Sequence, residues 1–113
     1  MISYDVDSDG ICTLAWDMPG RSMNVLNRDS VAAFEKAVDR ALADASVKGV
    51  VVASAKPDFI AGADLKLLAG APAPNDPEVR AFIELGLRVL EQLEALPFPT
   101  CAAIDGAALG GGL

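Results

Sequence analysis

Apolar residues recur along this chain at two periods, and the switches between them mark its elements. Ile2 to Val6 and Ile11 to Trp16 read as two strands. Ser8-Asp9-Gly10 between them supplies turn chemistry, because Gly accepts a positive φ; together they predict a β-hairpin. Asp17 to Ser22 then breaks regular structure. From about Arg28 to Ala45 the period lengthens: Val31, Phe34, Val38, Ala41 and Leu42 fall at helical spacing, with Glu35, Lys36, Asp39 and Arg40 on the other side. Asn27 and Asp29 are the candidate caps. Val50-Val51-Val52-Ala53 has no polar alternation and predicts a strand covered on both faces. A loop or lid over Ala69 to Pro77, with Pro72 and Pro74, separates it from a second helix. Asp76-Pro77-Glu78 gives that helix a cap, a proline at its first position and an acid in its first turn. It runs to about Leu96, with Val79, Phe82, Ile83, Leu85, Leu87, Val89, Leu90 and Leu93 as a broad apolar stripe, and Pro97 and Pro99 end it. Cys101 to Ile104 predicts another short buried strand. Strand, helix and buried strand in this order imply an α/β fold with a parallel component.

A chain of 113 residues is one small domain, and 52% hydrophobic with 22% charged residues is a globular composition. The net charge of −7 gives no electrostatic reason to bind DNA, RNA or anionic lipid. The absence of histidine removes Ser-His-Asp and Cys-His catalysis and most zinc sites. Cys12 and Cys101 sit in apolar runs, so two buried free thiols are expected, a disulfide being the lesser alternative. Met1 to Asp9, with three aspartates, is no signal peptide, and no apolar run approaches the roughly 20 residues of a membrane span. A soluble cytoplasmic protein is the default expectation.

Two segments carry candidate chemistry. Asp58 to Lys66 follows the first buried strand, and Ile104 to Leu113 follows the second. Each is a strand end leading into a Gly/Ala-rich turn and a helix start. Ligands in open α/β sheets bind at the carboxyl ends of strands, and small residues let backbone approach them. Unsatisfied N–H groups at helix starts favour developing oxyanions, so two such turns can aim two donors at one oxygen. The plainer alternative is a pair of glycine-rich connections without chemistry. A nucleotide loop fails, because no Gly-Lys-Ser/Thr is present and the glycine spacing is not the dinucleotide fingerprint.

Phe59-Ile60-Ala61-Gly62-Ala63-Asp64-Leu65 resembles the F-x-A-G-A-D motif of the crotonase (enoyl-CoA hydratase/isomerase) superfamily. Ile104-Asp105-Gly106-Ala107-Ala108-Leu109-Gly110-Gly111-Gly112 resembles its second motif, a strand followed by Asn-Gly and A-x-G-G-G. Pro19 to Asn27 is similar to its early Asn-x-Leu segment. Asp17-Met18-Pro19-Gly20 with Ser22-Met23-Asn24 resembles in particular the hydratase part of bacterial multifunctional fatty-acid oxidation enzymes. The resemblance spans essentially the whole chain. It implies the N-terminal portion of a crotonase-like ββα-spiral, residues 1–113 being an incomplete part of one hydratase/isomerase domain. By the resemblance, the N–H groups of Ala63 and Gly111 form an oxyanion hole for a thioester carbonyl. It also puts Arg21, Ser22 and Met23 at the adenine and phosphate end of coenzyme A, with Ala61 and Gly62 beside the pantetheine. Leu65 and Gly110 complete the substrate-binding stretches. Arg21 is either a phosphate contact or a solvated loop cation. Asp64 caps the helix that begins there, and Lys66 is a surface residue unless it reaches coenzyme A.

The implied reaction is syn hydration of a trans-2-enoyl-CoA to a 3-hydroxyacyl-CoA in fatty-acid β-oxidation. It needs no metal or separate cofactor, since coenzyme A is part of the substrate. Asp105 stands where Asn is usual. In the family one catalytic Glu follows the Gly-Gly-Gly-x step, immediately past Leu113, and a second comes further on; neither lies in this sequence. Glu35, Glu78, Glu84, Glu91 and Glu94 read as solvated helix charges. The 113 residues alone are therefore expected to show no hydratase turnover. An isomerase, a thioesterase or another acyl-CoA enzyme of the superfamily is the nearest alternative. A non-catalytic truncated remnant that at most binds acyl-CoA, or a product of a frameshifted gene, is the other. A truncated sheet with open edges is expected to aggregate. The family's trimers and hexamers use C-terminal helices absent here, so no assembly is implied.

Overall fold

The computed structural model describes residues 1–65 and 76–113. Its elements are β1 (Ile2–Val6), β2 (Ile11–Trp16), α1 (Arg28–Ala43), β3 (Gly49–Ser54), α2 (Pro77–Glu94) and β4 (Thr100–Ala102), followed by a 3-10 turn at Gly110–Gly112. The predicted lid lies outside the described residues except for Asp76 and Pro77, and Lys66 lies outside them too.

The hairpin forms as its pattern predicts. The Asp7 carboxylate accepts from the N–H groups of Asp9 and Ile11, and Gly10 turns the chain at φ 82°. A side chain at Gly10 would press on the Ser46 carbonyl, at 2.8 Å. β2 then alternates, burying Cys12, Leu14 and Trp16. The four strands form one sheet in the order β1-β2-β3-β4, antiparallel between β1 and β2 and parallel thereafter. Leu14 aligns with Val52, and Val50 with Thr100.

α1 starts with a reciprocal cap. Asn27 accepts from the Ser30 N–H, and the Ser30 hydroxyl accepts from the Asn27 N–H, each at 2.9 Å, which settles the choice of cap in favour of Asn27. Val31, Phe34, Val38 and Ala41 are buried against the sheet, while Leu42 faces solvent. Trp16 meets Phe34 at a ring-centroid separation of 5.3 Å. Each fully buried large apolar side chain of this kind contributes about 1.5–3 kcal/mol.

The far edge corrects three expectations. β4 is shorter than predicted and exposed at all three residues, and Cys101 is an exposed thiol while Cys12 is buried. On β3, Val50 and Val52 are buried but Val51 is only half covered. α2 buries Phe82 and Val89 and leaves Ile83, Leu87 and Leu90 exposed. One cause underlies the exposure of β4 and of α2, whereas Val51 lies on the opposite face of the sheet from Val50 and Val52. β4 is the last strand of the sheet among the described elements, so nothing beyond it covers its faces or the outer side of α2. A pattern records which residues suit burial; coverage also requires a neighbour.

Candidate functional site

Two backbone segments zip together at the carboxyl end of β3. The Phe59 N–H donates to the Ala107 carbonyl and the Leu109 N–H to the Ile60 carbonyl, each at 3.0 Å. The Asp58 carboxylate accepts from the Ala107 N–H at 2.7 Å. Gly106, at φ 72°, packs its Cα against Asp58 and Pro57, where no Cβ fits. Past this zipper the chains still touch. A Cβ on Gly62, itself at φ 90°, would lie 2.8 Å from the Leu109 carbonyl oxygen, and one on Gly112 would run into the Ile60 carbonyl. The two small-residue motifs are therefore small because their backbones pack on each other.

The loop over residues 17–27 braces the first motif from the other side. Leu26 donates to the Gly62 carbonyl at 2.7 Å and accepts from the Asp64 N–H at 2.9 Å. In a parallel pairing of this kind, Leu26 bonds to the residues flanking Ala63, so the N–H of Ala63 itself points away from Leu26. No hydrogen bond occupies that N–H among the described residues. The Gly111 N–H is likewise unoccupied, because it lies in the first turn of the 3-10 segment. Ala63 and Gly111 line the same cavity of about 490 Å³. Trp16 and Val52 line it from the sheet, Leu26 from the loop before α1, Phe34 from α1, and Phe82, Leu87 and Leu90 from α2. No Asp, Glu, Lys or Arg lines it among the described residues, nor do three or more Asp, Glu, Cys or His side chains gather there as metal ligands.

Of the other site candidates, Ala61 is tied to the Asn24 carbonyl through its N–H at 2.8 Å, and the Cα of Gly110 lies near Gly62. Ser22 is exposed, Met23 half-buried and Leu65 exposed. Arg21 is partly exposed and ion-paired. Its guanidinium donates to the Asp64 carboxylate at 2.8 Å, and that side chain is only 10% exposed. The residues after Leu65, where Asp64 was expected to cap a helix, lie outside the described residues.

Two residues that frame the site escaped the sequence reading. Asn24 is fully buried; its amide nitrogen lies within 3.2 Å of the Trp16 and Phe59 carbonyls and the Ser54 hydroxyl, and its oxygen accepts from the Met18 N–H. Lys56 donates to Asp17 and to the Met18 and Arg21 carbonyls, all within 2.9 Å. The signal for Asn24 was its place at the head of the Asn-x-Leu segment, Asn24-Val25-Leu26, to which no role was assigned. Lys56 carried no signal, because any solvated lysine looks the same.

On β1, at the opposite edge of the sheet, Tyr4 donates to Asp44 at 2.8 Å under the guanidinium of Arg40. Burial and the Asp44 contact push the Tyr4 phenol above its ordinary range, and burial pushes the Cys12 thiol up. Hydrogen bonds from Ser46, then from Tyr4, hold Asp44 below its ordinary value. No helix among the described residues is long and apolar enough to cross a membrane.

Residues 14–113 match the family described as enoyl-CoA hydratase/isomerase. The chain is 42% identical over 93% of its length to the fatty acid oxidation complex subunit alpha of Shewanella frigidimarina. It is 44% identical over 92% of its length to the subunit of the same name from Pseudomonas syringae. It spans only 15% and 14% of those proteins. An enoyl-CoA hydratase from Bacillus anthracis superposes with a TM-score of 0.87 at 31% identity, over 98% of this chain and 42% of that one. The fold is thus the N-terminal part of the crotonase-like α/β architecture, and the chain belongs to the enoyl-CoA hydratase/isomerase family.

Proposed function

We propose that this chain binds an acyl-CoA thioester and polarises its carbonyl, as the front part of a hydratase acting on trans-2-enoyl-CoA. The observation that carries the reading is the pair of unoccupied N–H groups, on Ala63 and Gly111, at one apolar cavity. The thioester oxygen accepts from both donors, and the acyl chain runs along the apolar side chains of α2. When water adds at C3 of the conjugated thioester, the π electrons move through C2 onto that oxygen. An enolate forms there, and C2 is protonated afterwards. Fixed donors favour the enolate over the neutral substrate, by about 3–4 kcal/mol for a single donor in a well-measured case. Proton transfers need a base and an acid, and no carboxylate lines the cavity among the described residues. These residues accordingly supply binding and charge stabilisation, and turnover requires groups from elsewhere in the fold.

The test is equilibrium binding of crotonyl-CoA together with loss of its conjugated-thioester absorbance. The chain is expected to bind without turning over. Gly111→Pro removes the donor and is expected to weaken binding about tenfold or more, the loss of a hydrogen bond of roughly 1.4 kcal/mol. Gly111→Ala keeps the N–H and adds only a methyl group against the movable end of Leu26, so it serves as the steric control. Equal binding by all three proteins, or turnover by the chain well above the proline variant, would overturn the assignment.

A further inference from the structure

We infer that Arg21 is a positioning residue for the Ala63 donor rather than an anchor for a phosphate of the bound ligand; this rests on the thioester-binding reading above. Three observations converge on it. The Arg21 side chain reaches across 43 residues of sequence to the largely buried Asp64 carboxylate. The Arg21 backbone is itself fixed, because Lys56 holds the Arg21 and Met18 carbonyls and the Asp17 carboxylate with one ammonium. The Asp64 N–H is bonded to Leu26, the partner of Ala63 in the parallel bridge.

Ala63 therefore sits between two supports. On the inner side, Leu26 grips Gly62 and Asp64. On the outer side, a brace runs from Lys56, just past β3, through the Arg21 main chain and side chain to Asp64. The peptide that carries the Ala63 N–H joins Gly62 to Ala63, and the next peptide joins Ala63 to Asp64; Leu26 bonds to the carbonyl of the first and the N–H of the second. The Leu26 bond holds the first peptide directly, and the Asp64 ion pair holds the residue at the far end of the second, so the Ala63 backbone is fixed from both sides. An unoccupied donor keeps its direction only if its neighbours are held, and Arg21 holds the neighbour that Leu26 reaches only through the main chain.

A positioning role and a phosphate anchor predict different ligand dependence. The experiment compares binding of crotonyl-CoA and crotonyl-pantetheine, which lacks the nucleotide and its phosphates, to the chain and to Arg21→Ala. Positioning predicts the same loss for both ligands, about tenfold. An anchor predicts a loss for crotonyl-CoA only, and that result overturns the inference. Arg21→Lys, which retains a cation able to reach a carboxylate, is expected to recover most of the affinity for both. Amide NMR of the ligand-free chain gives a readout that does not depend on acyl-CoA binding. Arg21→Ala is expected to shift the Ala63 and Asp64 amide resonances and to speed their hydrogen exchange, with the β1–β2 amides unchanged. Unchanged Ala63 and Asp64 amides would refute the brace even if binding fell. Failure of the unaltered chain to bind either thioester would instead refute the thioester-binding reading and leave the brace to be judged on the amides.

Discussion

Replacing Asn24 with leucine should cost this fold more than any surface change, and the structure says how much. The leucine has nearly the same volume but none of the polar atoms. The Trp16 carbonyl keeps a partner, since it also accepts from the Ala55 N–H at 3.0 Å. The Ser54 hydroxyl keeps Lys56 and Asp58. The Met18 N–H and the Phe59 carbonyl lose their partners and have no others among the described residues. Two buried orphans cost about 1–3 kcal/mol each, or about 2–6 together. The added apolar contact returns about 1 kcal/mol. A net loss of about 1–5 kcal/mol is a large share of the roughly 5–15 kcal/mol that holds a domain folded. Urea unfolding followed by fluorescence of Trp16, the single tryptophan, reads the change at the affected site. With a slope of about 2 kcal/mol per molar, the midpoint should fall by roughly 0.5–2.5 M. A midpoint within about 0.2 M of the unaltered chain would show that Asn24 does not join β2, β3 and the Phe59 loop in the way described.

Other changes read other parts of the account. Gly62→Ala forces a side chain into a positive φ and against the Leu109 carbonyl; it should destabilise the chain by about 1–3 kcal/mol and weaken thioester binding, whereas Gly20→Ala, with open space around it, should show only the backbone strain. The raised pKa of Tyr4 means that the folded state holds the phenol proton more tightly than the unfolded chain does. The stability it contributes is present below about pH 10 and lost as the pH rises through the folded value, so Tyr4→Phe should flatten the alkaline arm of a pH–stability curve. Asp44 has the opposite sign: its lowered pKa contributes stability above about pH 4, lost as acid titrates it. One thiol, Cys101, should react rapidly with a thiol reagent in the native chain and the second, Cys12, only after denaturation; rapid native reaction of both would contradict the burial of Cys12.

Much of the fold was legible because its elements carry local signals. The hairpin bounds, the Asp76-Pro77 helix start and the Val-rich strand each follow from a turn residue, a cap or a period. The two small-residue motifs were legible as a place where chains meet, because Gly62 and Gly112 sit where backbone packs on backbone, a constraint that leaves only glycine. What the sequence could not show was partnership. Cys101 and Leu87 suit a core, yet both are exposed, because burial depends on a neighbour beyond β4 and not on the residue. The ion pair of Arg21 could not be read, because an arginine in a loop is ambiguous until its carboxylate, 43 positions away, is in view. Asn24 and Lys56 act through several carbonyl groups at once, and such convergence exists only in three dimensions.

The central claim is that the Ala63 and Gly111 N–H groups point at one ligand oxygen. Titrating isotopically labelled chain with crotonyl-CoA, and following both amide protons by NMR, tests it most directly. The account predicts that these two resonances move downfield together, saturating at one ligand concentration, and that coenzyme A without its acyl group leaves them in place. Movement confined to other residues, or an equal response to free coenzyme A, would contradict it.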